Sequence, residues 1–182
     1  MLFVDYDNFR NAVLRTGKNR QAKVSRLATF LMRYINETLN WKNYNPEFVR
    51  SYIYTGEYAD TTIQGIKSHL ERETDITEKM AIQKVLEDSI RRAAGQKHFF
   101  EQAIDFDFLQ LRVKPLQYSR QGKKIFQKGE DVQIAVDLLY YAHNDSYDVA
   151  ILCSGDVDLI ESIKMVKNMG KKLIVMSHHS IM

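Results

Sequence analysis

Cysteine, proline and long apolar runs are all scarce in this chain, and each scarcity excludes something. The 182 residues include one cysteine, Cys153, which rules out an internal disulfide and a zinc site built from several thiolates. A reducing, cytoplasmic setting is the expectation that follows. Two prolines and eight glycines leave no collagen-like or Pro/Gly-rich disordered stretch. No apolar run approaches the roughly 20 residues of a membrane span. No basic segment leading into an apolar one opens the sequence, so no secretory leader is expected. What is present is ordinary for a soluble globular protein, with 45% hydrophobic and 27% charged residues. The length supports one well-cored domain, expected to span residues 1–182, and is short for two.

The net charge of +3 permits a polyanionic partner without demanding one. Placement says more than the sum. Arg10, Arg15, Lys18, Arg20, Lys23 and Arg26 crowd one stretch. Arg120, Lys123, Lys124 and Lys128 crowd a second, and Lys164, Lys167, Lys171 and Lys172 a third. Solvated faces account for such clusters as readily as a polyanion-binding surface does.

"MLFV" (1–4) is a short apolar run ended by Asp5, read as a buried strand. Residues 20–39 place Val24, Leu27, Ala28, Leu31 and Ile35 at helical spacing. "FVRSYIYTG" (48–56) is β-branched and aromatic and ends at glycine, as a strand does. Residues 60–103 read as helical, with Gly95 as a stop and Ile82, Val85, Leu86, Ile90 and Ala93 as the buried stripe. "FLQLRVKPLQYS" (108–119) alternates as a strand, and "RQGKK" (120–124) turns it into "IFQ" (125–127). A helix over 131–144, a buried strand in "DVAILCSGD" (148–156), a helix over 159–170 closed by Gly170 and a last strand at 171–177 follow. Met80, Met165 and Met169 are expected in the core.

This alternation predicts an α/β fold, with a mostly parallel central sheet, helices on both faces and right-handed crossovers. The chain between residues 56 and 108 far exceeds the dozen or so residues a crossover needs. An extra helical insertion at about 60–103 is expected to thicken one face, with a lid or a homodimer arm as alternatives.

Ligands of an open parallel sheet collect beyond the carboxyl ends of its strands. Asp5 sits at that end of the first strand, Asp156 and Asp158 follow "VAILC", and Asp131 opens a helix. Each alone reads as a helix cap or a dipole partner. Together they are carboxylates that repel unless a cation lies between them. With no histidine or further cysteine in the set, the oxygen donors fit Mg²⁺ or Mn²⁺ better than zinc. Such an ion activates water and neutralises charge on a phosphodiester.

Three segments carry a resemblance: "FVDYDNF" (3–9), "KGEDVQIAVDLLYYA" (128–142) and "DVAILCSGDVDLIESIKMVKNMGKKLIV" (148–175). In order and spacing they resemble the motifs of NYN domains, the LabA-like branch of the PIN-like nucleases. The resemblance implies a Rossmann-like PIN fold, a divalent cation (Mg²⁺ or Mn²⁺) and endoribonuclease-type hydrolysis of single-stranded or structured RNA. By position, Asp5, Asp131, Asp156 and Asp158 become the catalytic, metal-holding set. Asn8 supports them by hydrogen bonding, Ser154 orients its loop and Asp137 matches a second helix aspartate. Asp137 lies six residues past Asp131, about 600° around the helix, so the two do not share a face. It is expected to bind a basic neighbour or face solvent. Arg10, Lys18, Arg20, Lys123, Lys124 and Lys128 would grip the RNA backbone. Leu159 stands where the family often has an aromatic residue, and the 60–103 insertion is longer than in a minimal member.

Two rival functions remain open at this stage. In a haloacid dehalogenase-type phosphatase Asp5 would be the nucleophile and Asp7 the acid/base. Phe9 then stands where that class has Thr or Val, and Lys128 is poorly placed as its lysine. A catalytically silent RNA-binding or assembly module is the other.

Overall fold

The computed structural model describes residues 1–9, 47–104 and 107–177. The helix expected over 20–39, together with Arg10, Lys18 and Arg20, lies outside the described residues. The strands are β1 (Leu2–Asp5), β2 (Ser51–Glu57), β3 (Leu109–Pro115), β4 (Gln117–Ser119), β5 (Lys124–Phe126), β6 (Val149–Cys153) and β7 (Lys172–Met176). The helices are α1 (Asp60–Arg72), α2 (Ile76–Ile104), α3 (Glu130–His143) and α4 (Ile160–Asn168), with a 3₁₀ turn at Val157–Leu159 before the last.

Five strands form one parallel sheet in the order β3-β2-β1-β6-β7, and β4 and β5 form a separate antiparallel hairpin. The architecture is that of a Rossmann-like PIN-type fold. β1 is central because its "LFV" is apolar throughout and both its faces are covered, as parallel strands require. On one face Phe3, Tyr52 and Leu152 pack against Ile134, Leu138 and Ala142 of α3 and Val166 of α4. On the other, Leu2, Val4, Ile53, Ile151 and Cys153 meet Phe99 and Ala103 near the end of α2. Helices therefore cover both faces, as the alternation predicts. Burial pushes the Cys153 thiol up to about 12, so it stays protonated and serves as packing. Among the described residues no helix is long and apolar enough to cross a membrane.

The 60–103 segment is made of two helices, and it differs from expectation at Gly95. It breaks at residues 73–75, where Glu73 Oε1 accepts from the N–H groups of Thr74 and Asp75. Asp75 Oδ1 then accepts from Glu78 N–H at 2.9 Å and starts α2. Gly95, read as a stop, lies inside α2. Glycine there costs about 0.8–1.0 kcal/mol against alanine, and tertiary contacts outweigh it. Gln96 donates to Gly56 O and accepts from Tyr58 N–H, clasping the end of β2, while Ala103 is buried and Phe99 partly buried against the sheet.

The strand expected over 108–119 also divides. Pro115 has no N–H to continue the ladder, and Leu116 N–H closes on Glu57 O at 2.8 Å. The chain then leaves the sheet as β4 and returns through the expected turn as β5. The side-chain expectations need correction as well. Met80, Met165 and Met169 are 70%, 49% and 41% exposed, and Ile90 is exposed too. Ser89 takes the inward position instead, with its hydroxyl donating to Val85 O at 2.6 Å.

Candidate active site

The strand order reverses at β1. The chain builds outward from β1 through β2 to β3, then returns to the other side of β1 as β6 and β7. That switch point opens a crevice at the carboxyl ends of β1 and β6, which pair in parallel as far as Val4 and Cys153. Asp5 is the last residue of β1 and only 7% exposed. Its Oδ1 accepts from Asn8 N–H at 3.1 Å, and its Oδ2 accepts from Ser154 Oγ at 3.1 Å. Burial raises the Asp5 pKa above the ordinary carboxylate value; the bonds from Asn8 and Ser154 oppose the rise, and the charge of Asp131 adds to it.

Ser154 links the two strand ends. It donates to Asp5 and accepts from Asp156 N–H at 3.2 Å. Asp156 in turn caps the 3₁₀ turn, its Oδ1 accepting from Asp158 N–H at 2.9 Å. Asp131 stands in the first turn of α3, which enters through Gly129 in the left-handed region (φ 86°), a conformation that favours glycine. Burial, then the charge of Asp156, raises the Asp131 pKa, and Asp158 adds to the rise. Asp131 is thus the electrostatic hub, coupled to Asp5 on one side and to Asp156 and Asp158 on the other.

Asp137 is engaged elsewhere. Its Oδ2 accepts from Tyr54 OH at 2.8 Å and from Arg112 Nε at 3.2 Å. Arg112 also donates to Tyr141 OH at 3.0 Å and lies 5.0 Å over the Tyr52 ring. This network clamps α3 onto β2 and β3, and so positions Asp131 from six residues away. The basic neighbour expected for Asp137 is Arg112. Of the basic residues, Lys123 is ion-paired to Glu78, Lys124 lies exposed on β5, and Lys128 is exposed just before α3.

Two further carboxylates stand at this edge: Asp7, read from the sequence only as the acid/base of the phosphatase alternative, and Glu130, which the motif reading left out. Asp7 Oδ2 accepts from Thr55 Oγ1 at 3.3 Å near the end of β2. Glu130, beside Asp131, is 4% exposed; burial raises its pKa, which the Lys114 charge partly offsets, and its Oε1 has no hydrogen-bond partner. For Glu130 the segment "GED" offered the only signal, and it does not spell out burial.

Chemically the set is all oxygen. That donor chemistry fits a hard divalent ion. Among the described residues, however, no three acidic, histidine or cysteine side chains converge closely enough to hold one as they stand.

The family model for the NYN domain matches residues 1–182, the whole chain. The protein belongs to the NYN domain family. NYN domains form a branch of the PIN-like nuclease superfamily, for which ribonuclease activity is the general expectation. Comparisons with curated proteins and with solved structures gave no match.

Proposed function

We propose that this NYN domain is a metal-dependent endoribonuclease acting at the carboxyl edge of β1 and β6. The observation that carries the reading is the position of Asp5, buried at the switch point and coupled through Asp131 to Asp156 and Asp158. Asp5, Asp131 and Asp156 would hold Mg²⁺ or Mn²⁺, with Asp158 as a further ligand, direct or through water. The bound cation supplies Lewis-acid activation of water and neutralises charge on the phosphodiester. The protein's own groups do the remaining work. Ser154 and Asn8 fix the Asp5 carboxylate, Asp156 orders the loop bearing Asp158, and the Asp137–Arg112 clamp sets α3. RNA then loses one P–O bond to water. Lys124 and Lys128 attract the backbone; Lys123, already paired with Glu78, contributes less.

The test is RNA cleavage with Mn²⁺ or Mg²⁺ by wild type, Asp131→Asn and Asp156→Asn. Each variant should lose at least about tenfold, the lower end of what removing even an outer-shell metal partner costs. Equal rates would remove that residue from the chemistry. A catalytically silent RNA-binding module is the second reading, favoured by the spread of the carboxylates among the described residues. Tight RNA binding with no metal-dependent turnover would identify it. The phosphatase reading would need phosphate release from small monoesters without RNA cleavage; membership of a nuclease superfamily weighs against it.

A further inference from the structure

We propose that the open cavity between the start of α1 and the β4–β5 hairpin is a backbone-phosphate subsite for single-stranded RNA, seated beside the candidate active site. The proposal rests on the ribonuclease reading for its choice of ligand. The cavity has a volume of about 620 Å³, and its wall includes Lys114, Arg120, Lys128, Thr61, Thr62 and Tyr118. Among the described residues no acidic side chain contributes to the lining. A concave surface of one sign focuses its field and concentrates a polyanion. The volume lies in the range that takes a nucleotide-sized unit, too small for a duplex.

The wall is braced, and two of its three cationic side chains stay available. Thr62 Oγ1 donates to Leu116 O at 2.6 Å, tying α1 to the chain between β3 and β4. Tyr118 OH shares a hydrogen bond with His69 Nδ1 at 2.9 Å, which fixes the ring against α1. Lys114 Nζ donates to Gly129 O at 2.6 Å. Arg120 and Lys128 are exposed, and among the described residues neither makes an ion pair or hydrogen bond. Lys123, in the same hairpin, shows the contrast, since Glu78 already answers its charge.

Connectivity joins this cavity to the acidic cluster. Lys114 holds the residue that caps α3, and Lys128 precedes Asp131 by three positions, at most about 11 Å of chain. An RNA strand whose reacting phosphate lies at Asp131 brings a neighbouring phosphate to Lys128 and Arg120.

The experiment measures binding of a short fluorescent oligouridylate to the full chain in EDTA, for wild type and for R120Q/K128Q, across a salt series. Both substituted side chains are exposed, and a matched unfolding midpoint checks the fold. The double variant should bind about tenfold more weakly at low salt, and the slope of log affinity on log salt should fall by about 0.7 for the lost phosphate contact. In parallel, NMR titration with a ribodinucleotide should shift the Thr61, Tyr118 and Lys128 resonances. Unchanged affinity and slope in R120Q/K128Q, no wild-type binding, no shift at those residues, or displacement of RNA by polyglutamate at equal charge would each overturn the subsite. Because binding is read without metal, the two ideas fail separately. A wild type that binds through this cavity but never cleaves RNA sinks the ribonuclease reading alone. A wild type that cleaves, with unaltered binding by the variant, sinks the subsite alone.

Discussion

The hydroxyl of Ser154 donates to Oδ2 of Asp5 at 3.1 Å, joining residues 149 positions apart in the chain. Through it the loop after β6 holds the carboxylate that ends β1. Ser154→Ala removes a donor from a buried acid and should cost about 1–3 kcal/mol. Ser154 lowers the Asp5 pKa, so its loss raises further a value that burial has already raised. The protonated carboxyl needs that donor less. The urea-unfolding gap between wild type and variant should therefore be wider near neutral pH than in mild acid. An equal gap at both would show that the bond does not act on the ionised carboxylate.

The raised pKa values of Asp5 and Asp131 also set a slope with pH in metal-free protein. Their folded values lie above the ordinary 3.8, so between the two the native state holds more protons than the unfolded chain. Stability contributed by the protonated forms is present below that window and is lost as pH rises through the folded values. Asp131→Asn should flatten this dependence and gain on wild type as pH increases. Thermal melts in EDTA across the carboxylate range would read it, and parallel curves would contradict the shifts.

A bound dication removes the same repulsion. Mn²⁺ or Mg²⁺ at about a hundred times its dissociation constant should add ~2.7 kcal/mol of stability. The melting temperature of wild type should rise accordingly, and that of Asp131→Asn much less. No metal-dependent rise in wild type would leave the acidic cluster without its proposed ion.

Asp137 is held by Tyr54 and Arg112 at the helix–sheet interface. Asp137→Ala orphans both donors and should destabilise by roughly 1.5–3 kcal/mol, as for hydrogen bonds to charged groups. In a cycle with Arg112→Met the two losses should be less than additive, because they share one interaction. Simple additivity would show the clamp to be energetically inert.

Gly95 is exposed within α2, and a Cβ there would meet nothing within 4 Å. Gly95→Ala should stabilise the protein by about 0.5–1 kcal/mol in urea unfolding, with RNA cleavage unchanged. A loss of stability would mean that the local backbone needs glycine.

The sequence by itself determined the alternation of elements, and hence the parallel sheet, because apolar runs and helical spacing are local. It also determined that Asp5 ends one strand and that Asp156 closely follows another, since an apolar run stops at polar residues whatever surrounds it. Only the tertiary structure decided that β1 and β6 are neighbours, that α2 runs through Gly95, that Asp137 belongs to Arg112, and that Glu130 is buried beside Asp131. It likewise turned Met80, Met165 and Met169 outward, against their hydrophobicity. Burial and long-range pairing depend on which surfaces meet after the chain has crossed the sheet, and no window of neighbouring residues contains that information.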